Sequence, residues 1–245
     1  MIRNPATAAA VHGALEWLAM LAGARHYIRR RRLTGLPPAL AGPGFAVLAG
    51  CLLGAGLGNK VVFWIEQPAL WAEHGGWSGF LRGGQSLVGG LLGGLIGVEI
   101  AKLVAGVRQS TGDVFVFPIL LGIMIGRVGC FLAGLHDDTY GLPTALPWGV
   151  DFGDGLRRHP TQLYEIAFAG LLWMALRRLQ ARCAAEPGLL FKLLLASYLV
   201  WRLAVDGLKP VPYVYPLGLS GIQWVCLIAL VFYLPLAVRQ WKRLP

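Results

Sequence analysis

The sequence predicts an all-α, polytopic membrane protein, with one transmembrane domain over residues 1–245 and about seven membrane-spanning helices. Of the 245 residues 56% are hydrophobic and 14% charged, and the mean hydropathy is +0.60. Soluble domains have roughly 45–50% apolar residues. Apolar stretches long enough to cross a bilayer recur along the chain, and basic residues fall between alternate stretches. These observations together indicate a multi-pass topology.

Each predicted span is an apolar stretch of roughly 17–25 residues. The stretches lie at about 11–28, 44–65, 86–105, 113–134, 161–178, 189–207 and 219–238. Most contain a Gly, a Pro or a polar residue, which helices in a bundle tolerate when neighbouring helices satisfy the backbone. The basic run Arg29 to Arg32 follows the first stretch and no small-residue cleavage site comes after it. We therefore expect the N-terminal segment to be retained.

Basic residues predict the orientation. They lie in alternate loops and include Arg29 to Arg32, Lys102, Arg108, Arg177, Arg178, Arg182, Arg239, Lys242 and Arg243. Such loops face the cytoplasm, so the N-terminus is expected outside and the C-terminus in the cytoplasm. The net charge of +10 has the same explanation, together with attraction to anionic lipid. No basic patch with interleaved aromatic residues is present, so we expect no nucleic-acid partner.

Cysteines and glycines favour structural roles. Cys51, Cys130, Cys183 and Cys226 stand singly without Cys/His spacing, and we expect neither a disulfide nor a metal site. The run "GGQSLVGGLLGGLIGVEIAK" lacks the Lys-Ser/Thr ending of a phosphate loop. Its small residues recur at every fourth position, which predicts close packing against another helix.

Arg127 lies inside the fourth apolar stretch, in "GIMIGRVGCFLAG". An isolated arginine at that depth costs at least about 2.5 kcal/mol, so Arg127 needs an anionic partner. Two interpretations remain open: an ion pair within the bundle, or a bound anion. Its own helix has no carboxylate one turn away, which favours the second interpretation.

Two further helices have polar residues at spacings of one turn. In "YLVWRLAVDGLKP", Asp206 follows Arg202 by four residues and can simply neutralise it, and Lys209 follows near the helix end. In "VHGALEW", His12 and Glu16 share one helical face, and we expect this pair to support the site from nearby.

The stretch "RRHPTQLYE" begins the fifth apolar stretch. Pro160 suits the first helical position, and His159, Gln162 and Glu165 then lie on nearly one face that looks into the bundle. A helix N-terminus favours an anion, and phosphate is the obvious anion in a membrane. The alternative is a solvated loop in which Glu165 pairs with Arg127.

The stretches "GRVGCFLAG", "YGLPTALPWGV" and "RRHPTQLYE", followed by "WRLAVDGLK" and "GLSGIQW", resemble the prolipoprotein diacylglyceryl transferases from about residue 84 onward. The resemblance implies transfer of a diacylglyceryl group from phosphatidylglycerol to the lipobox cysteine thiol of a prolipoprotein signal peptide. It also implies release of glycerol phosphate at the outer leaflet of the bacterial inner membrane, without a metal or organic cofactor.

The resemblance implies roles for individual residues. Catalytic roles fall on Arg127 and Arg202, which clamp the phosphate, and on His159 or Glu165, which receives the thiol proton. Substrate-binding roles fall on Arg127 and Arg202 again, and on Gly126, Gln162, Tyr164, His12 and Gln223.

The chain departs from the family pattern at several positions, so we expect a divergent member. Val88 takes the place of a histidine and cannot move a proton, Cys130 that of an asparagine, and His12 that of a tyrosine. The turn "GLHDDTYG" is longer than usual. A second interpretation is therefore a non-catalytic membrane protein that binds phospholipid or lipoprotein. A His12 that faces a cavity beside Arg127 would favour the enzyme, whereas one that faces lipid would favour the binding protein.

Overall fold

A computed structural model describes residues 2–35 and 40–244 of the chain. Within these residues there are seven long helices and two short ones. The helices are α1 (Pro5–Leu33), α2 (Pro43–Glu66), α3 (Pro68–His74), α4 (Trp77–Arg82), α5 (Leu87–Ala105), α6 (Val116–Ala133), α7 (Thr161–Cys183), α8 (Leu189–Asp206) and α9 (Gly221–Trp241). Short 3₁₀ turns flank α6 and precede α9.

A long helix occupies every one of the apolar stretches found in the sequence. The largest difference between the predicted and the observed bounds is in α1, which begins at Pro5 and continues through the arginine run to Leu33. Arginine is a good helix former and is favoured in a last turn, so the polar end continues the helix beyond the apolar stretch.

Four ranges in the described part of the chain are long and apolar enough to cross a membrane, and they establish a multi-pass membrane protein. These are Pro43–Glu66, Leu87–Ala105, Asp113–Asp137 and Gly221–Trp241. That the chain crosses the membrane seven times stays a prediction, because α1, α7 and α8 carry more charged and polar side chains than these four ranges.

Glycines bring α2 and α5 into backbone contact, as the four-residue spacing predicts. Gly89, Gly93 and Gly97 on α5 face Gly58, Gly54 and Gly50 on α2. A Cβ added at Gly93 would lie 2.2 Å from the carbonyl oxygen of Gly54, and one added at Gly97 would lie 2.0 Å from that of Gly50. A larger residue would therefore force the two helices apart.

The remaining long helices form the rest of the bundle. Helix α1 packs along α6, while α7 contacts both α6 and α8, and α8 packs against α9. The core lies around α8, whose Leu194, Leu195 and Leu199 are almost fully buried together with Phe117 and Leu120 of α6. A long cavity separates the α1 and α6 pair from the α2 and α5 pair.

The loop between α6 and α7 contains a small antiparallel pair, β1 (Val150–Asp151) with β2 (Arg157–Arg158). The Asp151 carboxylate accepts three backbone N–H groups of the turn between the strands. Arg158 donates to Asp154 at 2.6 Å, and this hydrogen bond lowers the pKa of the Asp154 carboxyl. The loop is thereby fixed over the start of α7.

Helix α7 begins one residue later than the sequence predicted. Pro160 has ψ of 70°, outside the helical range, and Thr161 is the first helical residue. The Thr161 hydroxyl donates to the Thr139 carbonyl at 2.6 Å, which ties the helix start to the end of the preceding segment.

Candidate active site

Arg127 of α6 and Glu165 of α7 form a buried ion pair. The Nε of Arg127 donates to Oε2 of Glu165 at 2.9 Å, and the Glu165 side chain is 1% exposed. The partner that an arginine at this depth needs therefore comes from a neighbouring helix, as in the alternative in which Glu165 pairs with Arg127.

Helix α8 adds three side chains to this pair. Nη1 of Arg202 lies 3.6 Å from Oε2 of Glu165, and the Tyr198 hydroxyl donates to Oε1 at 2.5 Å. The other arm of Arg202 donates to Asp206 at 2.5 Å, the pair expected from the spacing. We call Arg127, Glu165, Tyr198, Arg202 and Asp206 the arginine cluster.

The arginine cluster is electrically balanced, with two guanidiniums against two carboxylates. Every contact of Glu165 given above comes from a donor, so this carboxylate is placed to orient both arginines. Removing one member of a buried ion pair typically costs about 3–5 kcal/mol, because the remaining charge is left without compensation. The guanidinium planes of Arg127 and Arg202 are consequently held in fixed positions.

Arg127 and Arg202 of the arginine cluster line one end of the long cavity, which has a volume of about 2190 Å³. Its middle is lined by apolar side chains such as Leu48, Leu52, Leu91 and Leu95. Pockets for drug-sized ligands measure roughly 300–1,000 Å³. A cavity this large and apolar suits the acyl chains of a lipid.

Lys209 lines the same cavity just beyond the end of α8. Within residues 2–35 and 40–244 no side chain forms a hydrogen bond or an ion pair with it. Burial, followed by the nearby guanidiniums of Arg202 and Arg127, lowers the pKa of the Lys209 ammonium to about 7. The sequence prediction did not count Lys209 among the site residues, although its position three residues after Asp206 was a usable signal.

A second group, which we call the histidine cluster, consists of His12, Cys130 and Asp137, and all three line the cavity. The His12 Nε2 lies 3.5 Å from Cys130 Sγ and 3.3 Å from Asp137 Oδ1. Nη1 of Arg127 lies 3.7 Å from the same sulfur, so the two clusters are adjacent. His12 therefore faces the cavity beside Arg127. Asp137 was missed because its only signal was the long turn that contains it.

His159, Tyr164, Gln162 and Gln223 form their hydrogen bonds with partners outside the arginine cluster. His159 Nδ1 lies 3.2 Å from the Tyr164 hydroxyl, which also accepts a hydrogen bond from Trp148. Gln162 donates to Thr139 at 3.2 Å. Gln223 completes the cap of α9 and donates to the Leu203 carbonyl at 3.0 Å. These contacts hold the loop and the helix ends in place.

The last two positions singled out in the sequence are Gly126 of α6 and Val88 of α5. Gly126 lines the cavity next to Arg127, and a Cβ added there would meet no atom within 4 Å. The open space beside it admits a ligand. Val88 is fully buried in the apolar core, so a proton acceptor has to come from elsewhere.

Comparisons with known proteins agree with the resemblance. A family model for prolipoprotein diacylglyceryl transferase matches residues 9–239. The chain is similar to proteins named phosphatidylglycerol-prolipoprotein diacylglyceryl transferase from several bacteria. It is 32% identical to the protein of Aromatoleum aromaticum, over 73% of this chain and 69% of that protein. It is 30% identical to the Desulfotalea psychrophila protein (89% and 84%) and 34% identical to the Idiomarina loihiensis protein (80% and 74%).

Proposed function

This chain belongs to the prolipoprotein diacylglyceryl transferase family, and we propose that it transfers a diacylglyceryl group from phosphatidylglycerol to a prolipoprotein cysteine thiol. The observation that carries this proposal is the adjacency of the two clusters at one end of the cavity. Nη1 of Arg127 and Nε2 of His12 both lie within 4 Å of Cys130 Sγ. A phosphate held by the arginine and a thiol held near the histidine would therefore be neighbours.

The lipid would bind with its acyl chains in the apolar middle of the cavity and its phosphate at the arginine cluster. Nε of Arg127 is engaged by Glu165 and Nη1 by Cys130, while neither contact uses its Nη2. Lys209 adds a cation without an ion-pair partner in the described residues. Because the arginine cluster is already balanced, Lys209 supplies charge that an incoming phosphate can neutralise.

The leaving group determines what the arginines do for the reaction. When the bond between the glyceryl carbon and the phosphate oxygen breaks, negative charge grows on glycerol phosphate. Fixed guanidiniums in a site of low dielectric stabilise such charge without reorganising. Bidentate geometry adds to this effect, because the planar fork of an arginine matches two phosphate oxygens. Glu165 and Tyr198 act indirectly, by holding the two guanidiniums.

The acceptor thiol must lose its proton before it can attack. The predicted acceptors were His159 and Glu165, and those roles stay predictions. The contacts favour the histidine cluster, since His12 lines the cavity whereas His159 contacts Tyr164 outside it. In our proposal His12 lies where it can compensate for the absence of a histidine at residue 88.

The proposed setting is the bacterial inner membrane, crossed seven times, with the N-terminus outside and the C-terminus in the cytoplasm. The arginine cluster then lies toward the outer leaflet, and Lys102 and Arg108 at the other end of the cavity face the cytoplasm. A lipobox cysteine that follows a signal peptide would approach from the outer side. This placement is supported by the alternation of basic loops.

The second candidate is a member of the same fold that binds phospholipid or lipoprotein without transferring a group. The observation that favours it is Val88, which is fully buried and apolar. The two candidates share the cavity and the arginine cluster, so they differ only in the chemistry at the thiol.

The test uses purified protein, phosphatidylglycerol labelled in its diacylglyceryl part, and a lipobox peptide. Transfer predicts label on the cysteine peptide and none on a matched peptide with serine at that position. Arg127→Ala should abolish the label. Lipid binding by the unmodified protein without labelled peptide would establish the binding protein instead.

A further inference from the structure

The histidine cluster converges on a single atom. Nε2 of His12 lies 3.5 Å from Cys130 Sγ, 3.3 Å from Asp137 Oδ1 and 3.8 Å from Glu16 Oε1. One ring nitrogen can donate one hydrogen or accept one, so it cannot form full hydrogen bonds with a thiol and two carboxylates at once. A cation between the His12 nitrogen, the Cys130 sulfur and the Asp137 oxygen would satisfy these three atoms.

Two of the three ligand separations fit tetrahedral coordination. Zinc lies roughly 2.0–2.1 Å from an imidazole nitrogen, about 2.3 Å from a thiolate sulfur and roughly 2.0–2.2 Å from a carboxylate oxygen. At tetrahedral angles these bonds place nitrogen and sulfur about 3.5–3.6 Å apart, nitrogen and oxygen about 3.3–3.5 Å apart, and sulfur and oxygen about 3.5–3.7 Å apart. The observed separations are 3.5 and 3.3 Å, and all three ligand atoms lie within 4.8 Å of one another.

The three side chains are held by separate elements. His12 comes from α1 and Cys130 from α6, which pack along each other, and Asp137 comes from the 3₁₀ turn after α6. The Thr139 hydroxyl donates to Oδ2 of Asp137 and leaves Oδ1 toward the histidine. A hydrogen bond of this kind orients a metal-binding carboxylate.

We infer that His12, Cys130 and Asp137 bind a divalent cation of the zinc class, whose fourth position opens into the cavity and takes the acceptor thiol. The inference rests on the proposed transfer for the identity of that thiol, whereas the cation site stands on the geometry alone. The sequence predicted no metal site. This one could not be detected from the sequence, because ligands on three separate segments leave no characteristic spacing.

The donor set decides the class of cation. One nitrogen, one sulfur and one oxygen ligand are typical of zinc, whereas magnesium and calcium prefer oxygen ligands only. Three protein ligands with one open position are the pattern of reactive zinc sites. His12, Cys130 and the long turn that holds Asp137 are also places where the chain departs from the family pattern, and all three meet here.

Such a site would make the acceptor thiol lose its proton, which the Val88 side chain cannot do. With His12 bound to the cation, a thiol entering the open position would bind as thiolate, and its proton would pass to water in the cavity instead of to the imidazole. The sulfur forms a bond with the glyceryl carbon that carries the phosphate ester. The carbon–oxygen bond breaks, its electron pair stays on glycerol phosphate, and Arg127 beside Cys130 meets the growing charge.

The first experiment measures metal without measuring activity. Protein purified without a polyhistidine tag should contain one zinc ion per chain, and cobalt substitution should give a cobalt–thiolate charge-transfer band. Cys130→Asn and His12→Tyr should each lower the zinc content at least about tenfold. Cys51→Ser is the matched control, because Cys51 lines the same cavity and should leave both signals unchanged.

The second experiment separates the two proposals. Removing zinc should slow transfer to a lipobox peptide by roughly 10²–10⁴-fold, and added zinc should restore it. Folded, unmodified protein that binds neither zinc nor cobalt would overturn the cation site. Full transfer by zinc-free protein would overturn its role at the thiol. Zinc bound by the three ligands without any transfer would leave the cation site standing and contradict the proposed function.

Discussion

Nε of Arg127 on α6 lies 2.9 Å from Oε2 of Glu165 on α7, and Arg202 of α8 approaches the same carboxylate oxygen at 3.6 Å. One carboxylate thus joins three helices that contribute to the core. It also fixes two guanidiniums at the end of a lipid-sized cavity. Stability and ligand binding are therefore coupled at this point.

Replacing Glu165 should affect folding, lipid binding and transfer together. Glu165→Gln leaves two buried guanidiniums facing a neutral amide, and we expect a loss of about 3–5 kcal/mol in stability. Thermal unfolding and phosphatidylglycerol affinity measure the effect. Tyr198→Phe is the control, since it removes one hydrogen bond to the carboxylate but leaves the charges paired, and it should cost less, about 1.5–3 kcal/mol. Normal stability and lipid affinity with a selective loss of transfer would instead make Glu165 the proton acceptor.

Arg127 should not be replaceable by lysine. Arg127→Lys keeps the charge but loses the Nε contact with Glu165 and the planar fork that grips a phosphate. Lipid affinity should fall nearly as far as in Arg127→Ala. Isothermal titration with short-chain phosphatidylglycerol compares the two variants. Full binding by Arg127→Lys would show that a point charge is enough.

Phospholipid affinity should depend on pH through Lys209. Its pKa is lowered to about 7, so the ammonium is charged below that pH and favours the phosphate. As pH rises through about 7, Lys209 of the free protein loses this charge and phospholipid affinity falls. The fall ends above the pKa of Lys209 in the lipid-bound protein, which the phosphate keeps higher. The charged groups around Lys209 are Arg202, Arg127, Glu165 and Asp206, and Glu66 lines the same cavity.

The measurement for Lys209 is lipid affinity between about pH 6 and about pH 9. Lys209→Arg keeps its charge over this range, so it should flatten the profile at the level of the low-pH affinity. An unchanged profile in Lys209→Arg would assign the dependence to another group.

The contact between α2 and α5 should tolerate no side chain at Gly93. Gly93→Ala places a Cβ 2.2 Å from the Gly54 carbonyl oxygen, and overpacking of this kind costs about 1–3 kcal/mol. Gly56→Ala on α2 is the matched control, because its Cβ meets no atom within 4 Å. Thermal unfolding in detergent compares them, and equal stability of both variants would contradict the packing.

The proposed orientation predicts which side of the membrane labels a single cysteine. In a variant without Cys51, Cys130, Cys183 and Cys226, a cysteine next to Arg178 should react only from the cytoplasmic side. A cysteine next to Asp151 should react only from outside. A membrane-impermeant maleimide applied to cells and to inverted vesicles makes the comparison, and the opposite pattern would reverse the orientation.

Much of this architecture is predictable because the membrane imposes simple rules on a sequence. Helix positions follow from apolar length, and the glycine spacing in α5 predicts a close helix contact, although it does not identify α2 as the partner. Arg127 and Glu165 stand out because charge is expensive in an apolar segment. The histidine cluster could not be predicted, since His12 and Cys130 are 118 residues apart and meet only when α1 packs on α6. That no described side chain pairs with Lys209 likewise depends on the packed structure.

The central claim is that a phosphate and a thiol react at the junction of the arginine and histidine clusters. The most direct measurement follows both products of a single turnover with phosphatidylglycerol and a lipobox peptide. We predict one glycerol phosphate released for each peptide that gains a diacylglyceryl group on its cysteine sulfur. Release of glycerol phosphate without modified peptide, or no release at all, would contradict the account.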